Sequence, residues 1–347
     1  MEYVLKKSFI FMVLFSILSF VTMAQSSEES ISYIVNVPHV LPLGTDGSGG
    51  TECVYVLFGN WPQTVKEDNV TLSTKIEKIN GWNCYKGSDN FYYVKEVSNV
   101  SVGKFNNGVP IEKDKEYYFK LEPIKWRILE NNYQNGKLLL SENVLVNSCF
   151  DIHCYKDGKI WEVIKREIEG ITVYPNNYKY STVRSYLNGL NGNSYSVEDF
   201  TGKGFIDKAF TSEAIEKINT VMVDNGAEST IDIGNNLNNA ENYICENTED
   251  KIFLLSEKEV TDNSYGFGNY NEYDISRIRQ TTDYSRVTGA YSCRDEGYKN
   301  NCWWWLRSPV FNDCIHARHV YYKGTANNYR DIYYVYGGIV PALSISF

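Results

Sequence analysis

The sequence is poor in histidine and has no excess of basic residues. It contains four His, and 34 Lys and Arg residues stand against 43 Asp and Glu residues, which gives a net charge of −9. An acidic chain without a basic stripe is a poor partner for nucleic acid or for an anionic membrane surface. We therefore expect no nucleic-acid partner.

Motifs typical of metal and catalytic sites are also missing. The eight cysteines include no C-x-x-C pair of the kind that binds zinc, and the chain has neither a G-x-S-x-G turn nor an H-E-x-x-H helix. We therefore predict no metal, no cofactor and no catalytic residue. A binding protein is favoured over an enzyme.

Long apolar runs are scarce, and the one of interest lies in residues 1–24. There Lys6 and Lys7 precede a short apolar run, and Ala24 ends the segment. This layout predicts a signal peptide cleaved near Ala24, because a membrane-spanning helix needs roughly 20 apolar residues and this run is shorter. We expect an exported protein, periplasmic, extracellular or on the cell surface, without a transmembrane segment in its mature part.

The even number of cysteines predicts disulfides in an exported chain. Proximity in the sequence favours the bridges Cys53–Cys84, Cys149–Cys154 and Cys293–Cys302. Cys245 and Cys314 then remain, either as a longer-range pair or as free thiols. Each bridge would stabilise the fold by about 2–4 kcal/mol.

The first third of the chain shows turn and strand patterns. Residues 25–51 are rich in Ser and Gly and predict a flexible lead-in. Residues 52–115 predict a small β-rich region, because short runs of Tyr, Phe and Val at 54–58 and 90–94 lie between turn residues. The run at 117–121 continues this pattern.

Residues 116–347 combine strand-like and helix-like segments. The runs 138–142 and 253–257 each lead an apolar strand into Ser-Glu, and Ser256 with Glu259 has the spacing of a capping box. Both segments predict a buried strand that enters a short helix.

Two further segments predict helices. Residues 181–187 predict a short helix capped by Ser181, and residues 211–223 predict an amphipathic helix with Ile215, Ile218 and Met222 on one face. Strands and helices in this order predict an irregular, loop-rich α+β domain preceded by the small β-rich region.

The closing motifs resemble those of an uncharacterised bacterial family. C-W-W-W-L-R-S-P occupies 302–309, and G-G-I-V-P-A-L occupies 337–343. With 126–127 and 277–284 they resemble the family of domain of unknown function 6273, over roughly 116–347. The same pattern is distantly similar to the C-type-lectin and formylglycine-generating-enzyme folds, in which a Trp/Arg-rich strand, a variable loop and a final strand close the domain. This resemblance implies an α+β domain of that type but no particular activity.

Four residues of the first motif are predicted to be structural: Trp303, Trp304, Trp305 and Arg307. Trp in a strand most often packs into a core, and a buried Arg ties loops together through its five donors. Because side chains alternate along a strand, Trp304 should face away from its two neighbours, toward a surface or a second layer.

Two alternatives to a binding protein stay open. Formylglycine-generating enzymes hold copper with a cysteine pair, so the resemblance makes Cys302 and Cys314 the candidates for an oxidative enzyme. A structural envelope protein without a small ligand is the other alternative. A calcium-dependent lectin is unsupported, because the E-P-N and Q-P-D signatures are absent.

Residues 311–336 have the composition of a contact surface. Six of these 26 residues are Tyr, which offers rigid contact area with a polar tip, while Asn adapts its hydrogen bonds. A loop between two fixed strands is a variable surface on a rigid frame. We predict that it binds a protein or glycan ligand. The candidate residues are Asn312, Asp313, His316, His319, Tyr321, Tyr322, Asn327, Asn328, Tyr329, Asp331, Tyr333, Tyr334 and Tyr336.

A sharper hypothesis concerns the origin of this composition. Tyr, His, Asp and Ile arise from single changes at the adenines of an Asn AAC codon, which is how diversity-generating retroelements alter their targets. Asn312, Asp313, His316, His319 and the pair Tyr321-Tyr322 would then be among the varied positions. The alternative is an AT-rich genome, which favours Asn, Tyr and Ile throughout the chain.

Overall fold

The computed structural model describes residues 35–41, 44–45, 52–101, 103–152, 166–191, 198–230, 245–310 and 313–346. The predicted signal peptide, most of the predicted lead-in, Cys154 and Asn312 lie outside these residues.

Strands make up most of the regular structure. In chain order they are β1 (His39–Val40), β2 (Gly44–Thr45), β3 (Glu52–Cys53), β4 (Tyr55–Val65), β5 (Leu72–Ile79), β6 (Trp82–Gly87), β7 (Tyr92–Val97), β8 (Glu116–Tyr133), β9 (Gly136–Ser141), β10 (Asn143–Val144), β11 (Val146–Asn147), β12 (Arg166–Ile168), β13 (Ile171–Val173), β14 (Ile218–Asn219), β15 (Val221–Val223), β16 (Thr248–Asp250), β17 (Ile252–Phe253), β18 (Arg279–Thr281), β19 (Asn301–Cys302), β20 (Trp304–Pro309), β21 (His316–Val320), β22 (Asn328–Asp331), β23 (Gly338–Ile339) and β24 (Ala342–Ile345).

The helices are short. The α-helices are α1 (Thr182–Asn188), α2 (Phe205–Ala209), α3 (Ser212–Ile215), α4 (Ala227–Thr230) and α5 (Asp283–Thr288), and single 3-10 turns lie at Tyr178–Tyr180, Glu259–Thr261, Asn263–Tyr265 and Ile275–Arg277. No helix in the described part of the chain is long and apolar enough to cross a bilayer.

A ten-stranded antiparallel sheet forms the main body of the fold. Its path runs β14-β24-β9-β8-β7-β6-β5, while β17 pairs with β24, β4 with β8 and β1 with β4. In β8 the side chains of Tyr117, Phe119 and Leu121 are buried, and the residues between them are half-buried. This alternation is expected of a strand that packs one face on a core.

The sheet is continuous across residue 115, where the sequence predicts a domain boundary. Val56 of β4 pairs with Trp126 of β8, and the Trp61 ring packs against Phe205 with 4.8 Å between centroids. Residues on both sides of the predicted boundary therefore share one sheet and one apolar core. The boundary itself stays a prediction.

Two smaller sheets carry most of the closing motifs, while Ala342 and Leu343 of the second motif lie in β24 of the large sheet. The five-stranded sheet has the order β11-β23-β20-β21-β22, and the three-stranded sheet has the order β10-β18-β19. Strand β20 runs parallel to β23 and antiparallel to β21. Leu139 of the large sheet and Trp305 of β20 belong to the same buried cluster, so the main core lies between these layers.

The predicted α+β fold is wrong. The chain forms a β-rich antiparallel domain with 40% strand and 14% helix. The helix predicted at 211–223 accounts for much of the error, because only Ser212–Ile215 is helical. Val221 and Val223 are buried while Met222 is 47% exposed, the period-two pattern of a strand, and Val is a β-branched strand former.

Of the two segments predicted to lead a strand into a short helix, 138–142 lies in strand β9 up to Ser141 but continues into strand β10 and not into a helix. The helix at 181–187 is confirmed as α1, in which the Ser181 side chain accepts a hydrogen bond from the Arg184 N–H. The capping box is formed, since the Ser256 N–H donates to Glu259 Oε2 and the Glu259 N–H donates to Ser256 Oγ. It begins only the 3-10 turn Glu259–Thr261 and not an α-helix.

Candidate binding groove

Strands β21 and β22 form a hairpin that carries the middle of the closing segment. His316 pairs with Asp331, and Arg318 pairs with Tyr329. Because side chains alternate along a strand, these four side chains share one face of the hairpin, and His319 lies on the other. The structure therefore divides the predicted ligand-binding residues between two faces.

On the outer face of the hairpin His316 lies between two carboxylates. Its Nδ1 is 2.5 Å from Asp313 Oδ2, and its Nε2 is 3.1 Å from Asp331 Oδ1. The hydrogen bond that His316 donates to Asp313, helped by the charges of both carboxylates, raises the pKa of His316. The imidazolium form is favoured because it donates from both nitrogens. These bonds tie the loop before β21 to β22.

His319 lies on the inner face, within the core. Its side chain is 2% exposed, its ring is 5.0 Å from the Trp303 ring, and neither ring nitrogen has a hydrogen-bond partner among the described residues. Burial first, and then the charges of Arg330 and Arg318, lower the pKa of His319 to about 3. This histidine is therefore a neutral core residue at physiological pH and does not reach the surface.

The tyrosines that follow β21 belong to an aromatic cluster. The Tyr322 ring lies 4.2 Å from Tyr321, 5.7 Å from Tyr291 and 6.1 Å from Tyr298. The Lys323 ammonium lies 4.8 Å from the Tyr298 ring centroid, within the range of a cation–π contact. We call Tyr291, Tyr298, Tyr321 and Tyr322 the tyrosine cluster.

An open groove of about 870 Å³ lies beside the tyrosine cluster. Its walls come from residues near 100–104, from the chain between the end of α5 and β19, and from Tyr336. The Tyr291 N–H donates to the Tyr336 carbonyl oxygen at 2.9 Å, which holds these two segments together. Both tyrosines are exposed, Tyr291 by 37% and Tyr336 by 52%. The volume is that of a small-ligand site.

Arg286 contributes a buried cation to the groove wall. The residue lies in the last turn of α5 and is 3% exposed. Its Nη2 donates to Asp283 Oδ1 and, at 2.8 Å, to Asn106 Oδ1. Its Nε and Nη1 have no acceptor among the described residues. A buried donor without an acceptor is costly, so these two nitrogens reduce the stability that the ion pair with Asp283 provides.

The other predicted ligand-binding residues have local contacts. Asn328 Nδ2 donates to Thr325 Oγ1 at 2.7 Å and to Asn327 Oδ1 at 3.0 Å. The rings of Tyr333 and Tyr334 stack at 5.4 Å, and both pack partly buried against the core. These residues stabilise the hairpin and its exit loop, and Tyr336 is the member of the predicted set that lines the groove.

A family model described as domain of unknown function (DUF6273) matches residues 134–347. The chain belongs to this family. No curated protein and no solved structure matches it. The similarity to the lectin and formylglycine-generating-enzyme folds therefore remains a resemblance of sequence pattern.

The two motifs of the DUF6273 domain meet in the five-stranded sheet. Trp304 of β20 is in register with Gly338 of β23. A Cβ added at Gly337 would lie 2.1 Å from Trp305 Nε1, which itself donates to the Ser148 carbonyl oxygen at 2.9 Å. Only glycine allows the indole to approach the backbone this closely.

The four predicted structural residues of the first closing motif lie in the interior of the DUF6273 domain. Trp303, Trp304 and Trp305 are at most 3% exposed, and Trp304 donates its indole N–H to the Arg277 carbonyl oxygen at 3.0 Å. Arg307 is 1% exposed, forms an ion pair with Glu259, and donates to the carbonyl oxygens of Leu254 and Asp224.

The three predicted disulfides are wrong. Cys84, Cys149, Cys293 and Cys302 are free and buried. Cys84 packs with Val94 and Leu121 as a small apolar residue. Cys293 is bonded through its N–H to the Asn301 carbonyl oxygen at the start of β19, and the Cys302 thiol donates to the Trp303 carbonyl oxygen at 3.0 Å.

The structure does not bring Cys302 and Cys314 together. Cys302 ends β19, Cys314 precedes β21, and the six residues of β20 lie between them at about 3.3 Å per residue. Burial raises the pKa of Cys302, so its thiol is a poor nucleophile and a poor metal ligand. No group of three or more His, Cys, Asp or Glu side chains in the described residues could hold a metal ion.

Sequence reasoning missed most of the groove. Its walls are formed largely by the segment 286–300, which combines Tyr291 with Arg294, Asp295 and Glu296 and lies directly before the Trp-rich strand. The high density of charged residues and tyrosine in this segment, directly before the Trp-rich strand, could have indicated a binding surface from the sequence. The sequence around Lys104 gave no indication of a binding site, because Lys104 lies outside the DUF6273 match and joins the groove only through tertiary contacts.

Proposed function

We propose that this DUF6273 protein is an exported binding protein that holds a glycan or protein ligand in the groove beside the tyrosine cluster. One observation carries the proposal: a concave site of about 870 Å³ has Tyr291 and Tyr336 in its wall, and Tyr336 belongs to the Tyr/Asn-rich closing segment. Concave sites of this size with aromatic walls and a few polar groups are typical of ligand binding.

The exposed tyrosines support this use of the groove. Tyr combines a large rigid contact area with a polar tip and loses little conformational entropy on binding. Tyr291 is held in place by Tyr322, with 5.7 Å between the ring centroids, and by its backbone hydrogen bond to Tyr336. Because these contacts fix the Tyr291 ring before binding, less conformational entropy is lost when a ligand packs against it.

The first experiment is a screen of the purified protein against a glycan array and a displayed peptide library. The double variant Tyr291→Ala/Tyr336→Ala should bind any ligand found at least about tenfold more weakly, because truncated aromatic anchors typically cost more than 1.4 kcal/mol. Tyr273→Ala is the matched control, since Tyr273 is 73% exposed and lies outside the groove. Equal loss in both variants, or no ligand in either screen, contradicts the proposal.

Export is the second part of the proposal, and it rests on residues 1–24. Expression in a bacterial host should yield a mature protein outside the cytoplasm whose N-terminal residue is Gln25 or lies close to it. N-terminal sequencing of the exported fraction measures this. Retention of the intact chain in the cytoplasm would contradict export without affecting the groove.

A further inference from the structure

One edge of the ten-stranded sheet has no strand beside it in the described part of the chain. Strand β5 ends the strand order and pairs with β6 alone, over the eight residues Leu72–Ile79. The consecutive residues 73–76 are all exposed, so both faces of the strand are open there. An edge of this kind offers its backbone N–H and C=O groups to a further strand.

The hairpin between β5 and β6 determines which backbone groups face outward. Its two-residue turn at 80–81 has φ values of 46° and 72°, and Ile79 lies opposite Trp82. The pair that flanks such a turn is hydrogen-bonded, and hydrogen-bonded pairs alternate along an antiparallel ladder. The N–H and C=O groups of Ile76 and Lys78 therefore point away from β6. No other backbone group of the described residues bonds to them.

The side chains of β5 are complementary to a second copy of the same strand. When two copies of β5 pair antiparallel about a twofold axis at Ile76, Lys75 of each copy lies directly opposite Glu77 of the other. Both of these pairs are of the non-hydrogen-bonded kind, in which side chains lie closest and opposite charges stabilise the sheet. The two Ile76 residues exchange backbone hydrogen bonds, and their side chains, 51% exposed in the single chain, pack on one another.

Neighbouring registers lack this complementarity. A shift by one residue places outward-facing backbone groups opposite inward-facing ones, so that no ladder forms. A shift by two residues places Lys75 opposite Lys75 or Glu77 opposite Glu77, and like charges directly opposite are destabilising. The Tyr92 hydroxyl donates to Glu77 Oε2 at 3.0 Å, which holds the carboxylate in position beside the edge.

We propose that the protein forms a twofold-symmetric dimer through β5, in which the large sheets of two copies join at this edge. Lysines on an edge strand normally oppose pairing with another chain. Here Glu77 of the second copy compensates Lys75, and Lys78 lies opposite the uncharged Thr74. Because the same edge of both copies is used, pairing stops at the dimer.

Sedimentation velocity of the purified protein, from about 1 to 200 μM, tests the proposal. The protein should shift from monomer to dimer as the concentration rises, because a contact of one strand with another is small. Lys75→Glu and Glu77→Lys should each raise the Kd of the dimer at least about tenfold, since each turns two attractive pairs into repulsive ones. Lys113→Glu is the matched control, because Lys113 is exposed and lies outside β5. It should leave the Kd unchanged.

Mixing the two single variants gives a second readout. Lys75→Glu has carboxylates at both positions and Glu77→Lys has ammonium groups at both, so the mixture should form a heterodimer although neither variant dimerises well alone. The double variant Lys75→Glu/Glu77→Lys should dimerise like the wild type, because both pairs are restored. Near-ultraviolet circular dichroism checks that each variant is folded. Lys75 is exposed, so Lys75→Glu and its control remain informative if Glu77→Lys fails to fold.

Three results would overturn the proposal. The first is a wild-type protein that stays monomeric up to about 200 μM, where even weak dimers are populated. The second is a dimer that neither single variant weakens, since its contact then lies elsewhere. The third is a loss of the dimer in folded single variants that neither the mixture nor the double variant restores, because the charges would then not face one another.

Discussion

At the scale of single residues, burial and neighbouring charge give two nearby histidines opposite properties. His316 faces outward between Asp313 and Asp331, and its pKa is raised. His319 lies three residues further along β21, on the inner face. It packs on Trp303, and its pKa is lowered to about 3. The two residues should therefore contribute to the pH dependence of stability with opposite signs.

His319 makes the folded protein sensitive to acid. Its folded pKa lies below the ordinary value of about 6.5, so between these values the unfolded chain binds the proton and the folded chain does not. The free energy of unfolding should fall by about 2 kcal/mol between pH 7 and pH 5 on this account. His319→Leu should remove that component, as urea unfolding at both pH values would show. An unchanged pH dependence in the variant would argue against the buried neutral ring.

His316 should have the reverse effect. Because its folded pKa is raised, its stabilising contribution is fully present below its unfolded pKa and is lost as the pH rises through the folded pKa. His316→Gln should therefore destabilise the protein more at pH 5 than at pH 9. Urea unfolding of wild type and variant at the two pH values measures the difference. A larger cost at pH 9 would contradict the carboxylate pairing.

At the scale of elements, the packing of β20 against β23 depends on the close approach of the Trp305 indole to the backbone at Gly337. Gly337→Ala would place a Cβ 2.1 Å from Trp305 Nε1, and the indole is fixed by its hydrogen bond to Ser148. We expect a loss of about 1–3 kcal/mol in the free energy of unfolding, the usual range for overpacking in a core. Chemical denaturation followed by tryptophan fluorescence measures it.

Gly268→Ala is the control for this substitution. The nearest atoms to a Cβ at Gly268 belong to Asp274 and Glu272 at 3.5 Å, which is ordinary contact. The control should change stability by about 0.5 kcal/mol or less in either direction. If Gly337→Ala is tolerated equally well, the Trp305 ring is free to move and the junction is not tightly packed.

Local patterns predicted the elements whose determinants are local. The Ser181 cap of α1 and the alternation of Tyr117 and Phe119 in β8 lie within a few residues of one another in the sequence. The segment 211–223 failed because Ile218 pairs with Ile345, a partner far along the chain, and sheet pairing decided its conformation. The groove was missed for the same reason, because it forms only when distant segments meet.

At the scale of the whole molecule, the family match and the folding unit do not coincide. The DUF6273 match begins at residue 134, after β8 has ended at Tyr133. Yet β8 pairs with β9 on one side and with β4 on the other, and Lys104 of the groove also precedes the match. The family domain of this chain is therefore completed by strands that precede it.

A fragment of residues 134–347 should consequently not fold as the whole chain does. It would lack Trp126 and Phe58, whose rings lie 6.4 and 5.0 Å from Phe210, and it would expose β9 as an unpaired edge. Unpaired edges and exposed apolar surface lead to aggregation. A fragment of residues 52–347, which retains β3 to β24, should unfold cooperatively with a near-ultraviolet circular dichroism spectrum like that of the full chain. If the 134–347 fragment also shows a cooperative transition and the native aromatic spectrum, the strands before residue 134 are an addition to a self-sufficient domain, and the continuous core is not required for folding.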